Sequence, residues 1–382
     1  MEPSRLTELH KIHKENSLLG RYITLEKIEP LVKKMGSVFE VTTIGLSVND
    51  KPIYTIKVGH GKSKILLWSQ MHGNESTTTK ALFDLLNWFL TVDSEVKALL
   101  EQCTLLILPM LNPDGAENYT RVNANIVDLN RDAQNLTQPE SIVLRKCFDT
   151  FMPDYCFNLH GQRTIFGAGN TGNSATLSFL SPAQNIERTV TFTRKKAMAI
   201  ISFIYKALQA ELPMSIGRYD DGFNLNCVGD TFQSLGAPTV LYEAGHYKND
   251  YDREVTRLYA FKALYFGIKA ISDGINPAAH KDYFSIPENE KNFYDIIIRD
   301  VRVSKNDEIP VDIAIQFKEV LENKSINFVP IVEKIGRLNN YYAHKEIFGN
   351  GELVLNEKNQ PLEITNEIVF VMLNNRKILI KS

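Results

Sequence analysis

Short apolar runs recur along the first two thirds of the chain, and each empties into polar residues capable of chemistry. Lys64-Ile-Leu-Leu-Trp68 leads into Ser69-Gln-Met-His-Gly-Asn-Glu-Ser76, and Thr104–Leu111 leads into Asn112-Pro-Asp-Gly115. Pro153–His160 is followed by Gly161, and Pro238–Gly245 carries Glu243 near its end. An uninterrupted apolar run of this length reads as a strand buried on both faces, as in a parallel sheet. Between the runs the period changes. Ala81, Leu82, Leu85, Leu86 and Phe89 fall at helical spacing and predict a helix from about 76 to 90, and longer helical patterns cover 186–212 and 254–271. This alternation from Ile65 to about Gly274 predicts an α/β fold, a mixed, mostly parallel sheet with helices on both faces.

The flanks differ in pattern. Residues 1–36 read as a helical segment ending at Gly36, and Val38–Val58 as a hairpin turning at Asn49-Asp50. Asn276-Pro277 marks a break, after which β-branched runs at 293–303, 311–317, 326–335 and 367–380 are separated by turn clusters such as Phe348-Gly-Asn-Gly351. The expected division is therefore 1–36 helical, 37–275 α/β and 276–382 a small β-rich domain that either packs on the α/β domain or mediates self-association.

In open α/β sheets ligands gather beyond the carboxyl ends of the strands, which is where His72 and Glu75 fall. A catalytic zinc takes three protein ligands and keeps one position for water, so a third is required. The chain has eight histidines. His10 and His13 lie in a charged helix, His60 in a Gly-His-Gly turn, and His280 and His344 in polar surroundings. His160, ending a strand and followed by Gly161, repeats the arrangement of His72-Gly73. Alone, a histidine at a strand end is more often a hydrogen-bonded structural residue than a ligand; two of them with Glu75 between read as a ligand set. Glu243 at a third strand end suits a general base, its other reading being a surface carboxylate or a helix cap. The stretch 111–132 reads as a long irregular loop whose Arg121, Asn130 and Arg131 suit the gripping of a carboxylate and the polarising of a carbonyl, or else form a solvated basic loop. Ser76 has no adjacent histidine base, so no covalent intermediate is called for.

His72-Gly-Asn-Glu75, Asn112-Pro-Asp-Gly115, Asp128-Leu-Asn-Arg131, His160 and Glu243 occur together in the order shown by the zinc carboxypeptidases related to carboxypeptidase A, and from about residue 35 to 275 the chain resembles that family. The resemblance implies one zinc ion per chain held by His72, Glu75 and His160, Glu243 as base and acid, Arg121 polarising the scissile carbonyl, and Asn130 with Arg131 binding the terminal carboxylate of a peptide. The family's substrate-capping tyrosine has Tyr219 as its counterpart, with Phe223 nearby. The compact spacing from Glu75 to His160 and from Arg121 to Asn130 also resembles the aspartoacylase and succinylglutamate desuccinylase branch, for which the substrate would be an N-acyl amino acid. Asn112-Pro-Asp-Gly115 favours the peptidase side. A member that binds metal or peptide without catalysis is the third reading.

Length and composition narrow the setting. With 382 residues and 43% hydrophobic content there is chain enough for one large α/β domain and a smaller one. A net charge of -2 gives no basic footprint for nucleic acid and no attraction to an anionic membrane. A polar N-terminus, no apolar run long enough for a bilayer, and four cysteines without a Cys-x-x-Cys spacing predict a cytoplasmic protein with buried, unpaired thiols. Asp220, Asp221 and Asp230, ahead of Glu243, would make an acidic pocket for a basic side chain if they face the substrate, and are turn residues if they do not.

Overall fold

The computed structural model describes residues 1–374 and 376–380. Asn375, Lys381 and Ser382, and with them part of the expected final β-rich stretch, lie outside the described residues. Two compact units emerge, one of residues 1–162 with 175–289 and one of residues 163–174 with 290–382.

In the first unit, helices α1 (Pro3–His13) and α2 (Leu25–Met35) precede strands β1 (Glu40–Leu46), β2 (Pro52–Val58) and β3 (Ser63–Ser69). Then come α3 (Thr77–Phe89), α4 (Ser94–Gln102), β4 (Cys103–Leu108), α5 (Pro113–Asn118), α6 (Pro139–Phe151) and β5 (Tyr155–Gly161). After the short β6 (Gly167–Ala168), which belongs to the second unit, the first unit continues with β7 (Leu177–Leu180), α7 (Phe192–Leu208), β8 (Ile216–Arg218), α8 (Val228–Ser234), β9 (Thr239–Ala244) and α9 (Glu254–Ser272). Eight of these strands form one sheet in the order β1-β2-β4-β3-β5-β9-β7-β8. The centre, β4-β3-β5-β9, is parallel, and the rim is antiparallel at β1-β2, β2-β4 and β7-β9.

The central strands are buried because both sheet faces are covered. One face carries the large cluster with Ile65, Leu67, Phe157, Phe83, Trp88 and Phe261, and the other a smaller one with Leu66, Trp68, Cys156, Leu144 and Phe232. Since side chains alternate along a strand, Ile65 and Leu67 face the first cluster while Leu66 and Trp68 face the second. That is why the run reads as continuously apolar. The α/β expectation, mixed and mostly parallel at its core, is met.

The second unit holds a sheet of β11 (Phe293–Arg302), β12 (Val311–Glu322), β13 (Ser325–Gly336), β14 (Tyr342–Leu355), β15 (Phe370–Leu373) and β16 (Arg376–Leu379), in the order β13-β12-β11-β14-β15-β16; β10 (Asn289–Glu290) precedes it. Ile296, Ile298, Ile313, Ile315 and Val332 build its core.

Several local expectations differ from what forms. Residues 1–36 are not one helix: α1 ends at His13, and Lys14–Thr24 runs as a non-helical connection whose Leu18 is buried. Phe348-Gly-Asn-Gly351 is not a turn between strands but lies inside β14, where Asn350 and Gly351 take positive φ and the pairing with β11 shifts register, so a bulge absorbs the glycines. The stretch 111–132 is not wholly irregular either. Asn112 caps α5 by accepting from the Gly115 N–H at 2.8 Å, with Pro113 at the first helical position. Asn276-Pro277 opens a short 3-10 helix to Ser285 that still belongs to the first unit.

Candidate functional site

The site begins with a turn that has no room for side chains. Strand β3 ends at Ser69, and Gln70 turns the chain at a φ of 46°, its Nε2 donating to the carbonyls of Ile23 (3.0 Å) and Gly73 (2.8 Å). The neighbouring turn after β4 runs alongside it: the N–H groups of Leu111 and Asn112 donate to Ser69 and Gln70 carbonyls, and Asn112 Nδ2 donates to Met71. A Cβ on Gly73 would sit 1.9 Å from the carbonyl carbon of Gly115. His-Gly and Asn-Pro-Asp-Gly thus occur together because the two turns touch backbone to backbone.

That turn delivers His72 and Glu75 to the end of β5, where His160 emerges. Their ligand-capable atoms, with those of His160, lie within 4.8 Å of one another. His72 Nδ1 is 2.8 Å from Glu75 Oε1, and His160 Nδ1 is 2.8 Å from Glu75 Oε2 and 3.2 Å from His72 Nδ1. The Gly161 N–H donates to Glu75 Oε2 at 3.0 Å and steadies the carboxylate. On the far side of the ring, His72 Nε2 is 3.0 Å from Asp128 Oδ1. A carboxylate there holds the proton on Nε2 and leaves the Nδ1 lone pair aimed at Glu75 and at His160. Two ring nitrogens and a carboxylate facing a common point make a donor set that suits a borderline-soft divalent cation. The residues fit a zinc ion.

The electrostatics agree. Burial pulls the His72 imidazole down, but Glu75 and Asp128 outweigh it and the net shift is upward; for His160 burial prevails and the shift is downward. Burial raises the Glu75 carboxyl, yet the two imidazoles bring it well below the usual carboxylate range, and His72 and Arg121 do the same for Asp128. Both carboxylates are therefore held as anions beside two histidines.

Glu243 pairs in register with His160 on the adjoining strand, so both side chains leave the same sheet face. Its Oε2 is buried without a hydrogen-bond partner. Burial, and then the charge of Glu75, push its carboxyl well above the ordinary value, against Arg121 and Arg253. Arg121 is held by Asp128, Nε donating at 3.0 Å, with Nη1 3.5 Å from Glu75. Asn130 and Arg131 follow in a 3-10 turn that Asp128 caps. Asn130 Oδ1 accepts from the Val228 N–H at 3.0 Å, while Arg131 Nη1 donates to the Asn130 carbonyl and to Cys227 Sγ. Tyr219 follows β8 and hydrogen-bonds Asn289; burial first, then Glu243 and Glu75, raise its hydroxyl. Every candidate from the sequence, His72, Glu75, His160, Glu243, Arg121, Asn130, Arg131 and Tyr219, is thus placed about one sheet edge.

The acidic pocket does not form as a group. Asp221 pairs with Arg194 (2.7 Å) and Arg188, and Asp220 with Arg188 and the Gly222 N–H, so both are committed to a turn. His10, expected in an uninformative setting, is buried with Nε2 3.0 Å from Asp84.

Two residues carry the geometry without having been assigned roles. Asp128 stands behind His72; its signal is the carboxylate two positions before Asn130, and a metal-ligating histidine calls for such a partner. Arg253, buried and at a φ of 60°, donates to the carbonyls of Ala244, Gly245 and Gln162 and so ties the ends of β9 and β5 that bear Glu243 and His160. No sequence motif flags it.

Residues 24–209 match the family described as zinc carboxypeptidase, a span that takes in His72, His160, Glu75, Arg121, Asn130 and Arg131 and stops before Tyr219 and Glu243. Carboxypeptidase SOL1 of Arabidopsis thaliana is 31% identical over 165 residues, 37% of this chain and 33% of that protein, so the chain spans about a third of that relative's length. Among solved structures, the carboxypeptidase A of Helicoverpa armigera aligns with a TM-score of 0.53 at 16% identity over 71% of this chain and 80% of that one. A metallo-carboxypeptidase of Burkholderia cenocepacia gives 0.51 at 18% identity over 65% and 68%. At such identity the likeness is one of fold. Among the described residues no helix is long and apolar enough to cross a membrane.

Proposed function

We propose that this chain, whose residues 24–209 match the zinc carboxypeptidase family, is a zinc-dependent metallocarboxypeptidase that hydrolyses the C-terminal amide bond of peptides. The observation that carries the reading is the convergence of His72 Nδ1, Glu75 and His160 Nδ1 on one point beside the buried, unpartnered Glu243 Oε2. One zinc ion per chain, when bound there, supplies Lewis acidity and a lowered pKa for its water.

The remaining work belongs to side chains. Glu243 Oε2 accepts a proton from the attacking water and passes it to the leaving amine; burial, and after it the charge of Glu75, raise this carboxyl, and a cation facing Glu75 offsets the second of these. Arg121, half-exposed and oriented by Asp128, meets negative charge as it develops on the carbonyl oxygen. Asn130 and Arg131 hold the terminal carboxylate, and Tyr219 closes over the bound end of the substrate. Four unpaired cysteines support a reducing, cytoplasmic setting.

The test is a pair of peptides that differ only in a free or amidated C-terminus, given to the zinc-loaded protein. Amidation removes the charge that Arg131 meets, so cleavage should fall by ~10²-fold or more. Equal hydrolysis of the two would sink the carboxylate clamp. Rapid cleavage of N-acyl amino acids with none of tripeptides would give the site to a deacylase.

A further inference from the structure

The turn bearing His72 and Glu75 is gripped on both sides by chain that precedes the matched span. Residues 20–23 lie just before that span, which begins at residue 24. Ser76, buried and next to Glu75, donates its hydroxyl to the Arg21 carbonyl at 2.6 Å. Gln70, also buried, donates Nε2 to the Ile23 carbonyl and to that of Gly73, so one amide joins residues 20–23 to the stretch between His72 and Glu75. Between these two ties, the Tyr22 hydroxyl donates at 2.8 Å to the carbonyl of Glu117 in α5. That helix carries Gly115, whose backbone leaves no space beside Gly73.

Both donors forgo another partner to make these bonds. Ser76 is the N-cap of α3, where a serine oxygen ordinarily accepts from an N–H two or three residues on, but no such cap bond forms. Gln70 Oε1 is buried with no partner at all, which native proteins seldom tolerate unless the rest of the group is needed. The segment they grip is itself fastened. Lys80 Nζ donates to the Gly20 carbonyl at 2.8 Å, Gly20 takes a φ of 69° that suits glycine, and Arg21 Nη1 donates to the Tyr251 carbonyl at 3.3 Å. Asp84 acts further upstream, on His10 and the Glu15 N–H.

We infer that residues 20–23 are a positioning element of the metal site, and that Ser76 and Gln70 are the positioning residues through which this backbone sets His72 and Glu75 against His160. The inference rests on the zinc site of the reading above. His160 arrives on β5, whereas the other two donors ride on a turn that β3 anchors only as far as Ser69. A constellation drawn from separate elements works only when each member is held to within about 0.5 Å, which calls for support behind the residues that bind. Residues 20–23 supply that support beyond the end of the strand.

The experiment measures zinc affinity per folded chain, by competition with a chelator, on the full-length protein well below its melting temperature. Ser76→Ala and Gln70→Met delete the donors with little change of shape, and each should bind zinc ~10-fold more weakly, the scale of losing a partner behind a ligand. Ser76→Thr keeps the hydroxyl and should bind as the parent does. Tyr22→Phe probes the segment from its own side, since its hydroxyl bonds to α5 rather than to residues 70–76. It should weaken binding ~5-fold, as for one hydrogen bond, and by less when Ser76→Ala and Gln70→Met are already present. Should a turn variant fail to fold, Tyr22→Phe in the parent decides. Folded variants that melt lower yet hold zinc as tightly as the parent overturn the inference alone, and so does a Tyr22→Phe effect undiminished in the doubly substituted background. A folded parent that binds no zinc overturns the zinc carboxypeptidase reading, and the inference falls with it.

Discussion

Two clusters of buried charge occupy the first unit, and they treat their polar atoms in opposite ways. Beneath the N-terminal segment, Asp84, Arg257 and Lys80 are each fully buried and fully engaged. Asp84 accepts from His10, the Glu15 N–H and two nitrogens of Arg257; Lys80 Nζ donates to Gly20 O, Asp252 O and Glu254; Arg257 also reaches Leu18 O and Glu15 O. At the sheet edge, by contrast, His72 and His160 set their Nδ1 atoms 3.2 Å apart, and Glu243 Oε2 has no partner. Charge that is satisfied internally fastens the fold, whereas charge that faces like atoms or nothing awaits a ligand. The difference in hydrogen bonding separates framework from site where burial alone would not.

The comparison breaks most sharply on removal of a ligand. His72→Ala and His160→Ala should each lose stoichiometric zinc after dialysis, measured by elemental analysis, while melting as folded proteins, since a site short of one of three ligands loses most of its affinity. Retention of zinc by both variants would place the metal elsewhere. Asp84→Ala should do the reverse. It strands Arg257 in the interior and should lower stability by ~3–5 kcal/mol in urea unfolding, with zinc content per folded chain unchanged. A mild loss would mean that the N-terminal segment is only loosely fastened.

Between these extremes lies Asp128, which touches the site without facing the cation. Asp128→Asn keeps the shape but no longer enforces the Nε2–H form of His72, and should weaken zinc binding ~10–100-fold in competition with a chelator. His160, whose Nε2 is buried without a partner, has no equivalent support. An unchanged affinity would show that packing alone orients the His72 ring.

How far the sequence carried follows the same division. The grouping of His72, Glu75 and His160 beside Glu243 is legible because each follows an apolar run, and strand ends are local features. Arg121, Asn130 and Arg131 were legible as chemistry, although the α5 helix capped by Asn112 within the supposed loop was not, being too short to show a period. Arg253 was illegible, since its partners Gln162, Ala244 and Gly245 are brought to it by the pairing of β5 with β9. His10 was misjudged for a related reason: Asp84, 74 residues away, gives it a purpose that no window around it contains. In the second unit β14 was missed because its glycines read as a turn, when a bulge in a parallel pairing absorbs them.

The smallest effect is a slope with pH, and the two clusters should give it opposite signs. Burial, then Glu75, raise the Glu243 carboxyl well above its ordinary 4.5. In the metal-free protein the folded state therefore keeps a proton that the unfolded chain releases, so the stability this group contributes is present below the unfolded pKa and lost as pH climbs through the folded one. Glu243→Gln is neutral throughout and escapes that loss. Its melting temperature should gain on the parent's as pH rises from about 5 to 8. Asp84 behaves inversely: burial raises its carboxyl, but His10 and Arg257 bring it below the ordinary 3.8, so its contribution is present above that value and lost as pH falls through the folded pKa. Adding zinc should narrow the Glu243 difference, because a cation at Glu75 offsets the repulsion, and should leave the Asp84 trend alone. A Glu243→Gln difference that stays flat across this range would mean that the carboxylate is solvated in the folded protein, and the contrast between a satisfied and an unsatisfied cluster would not hold.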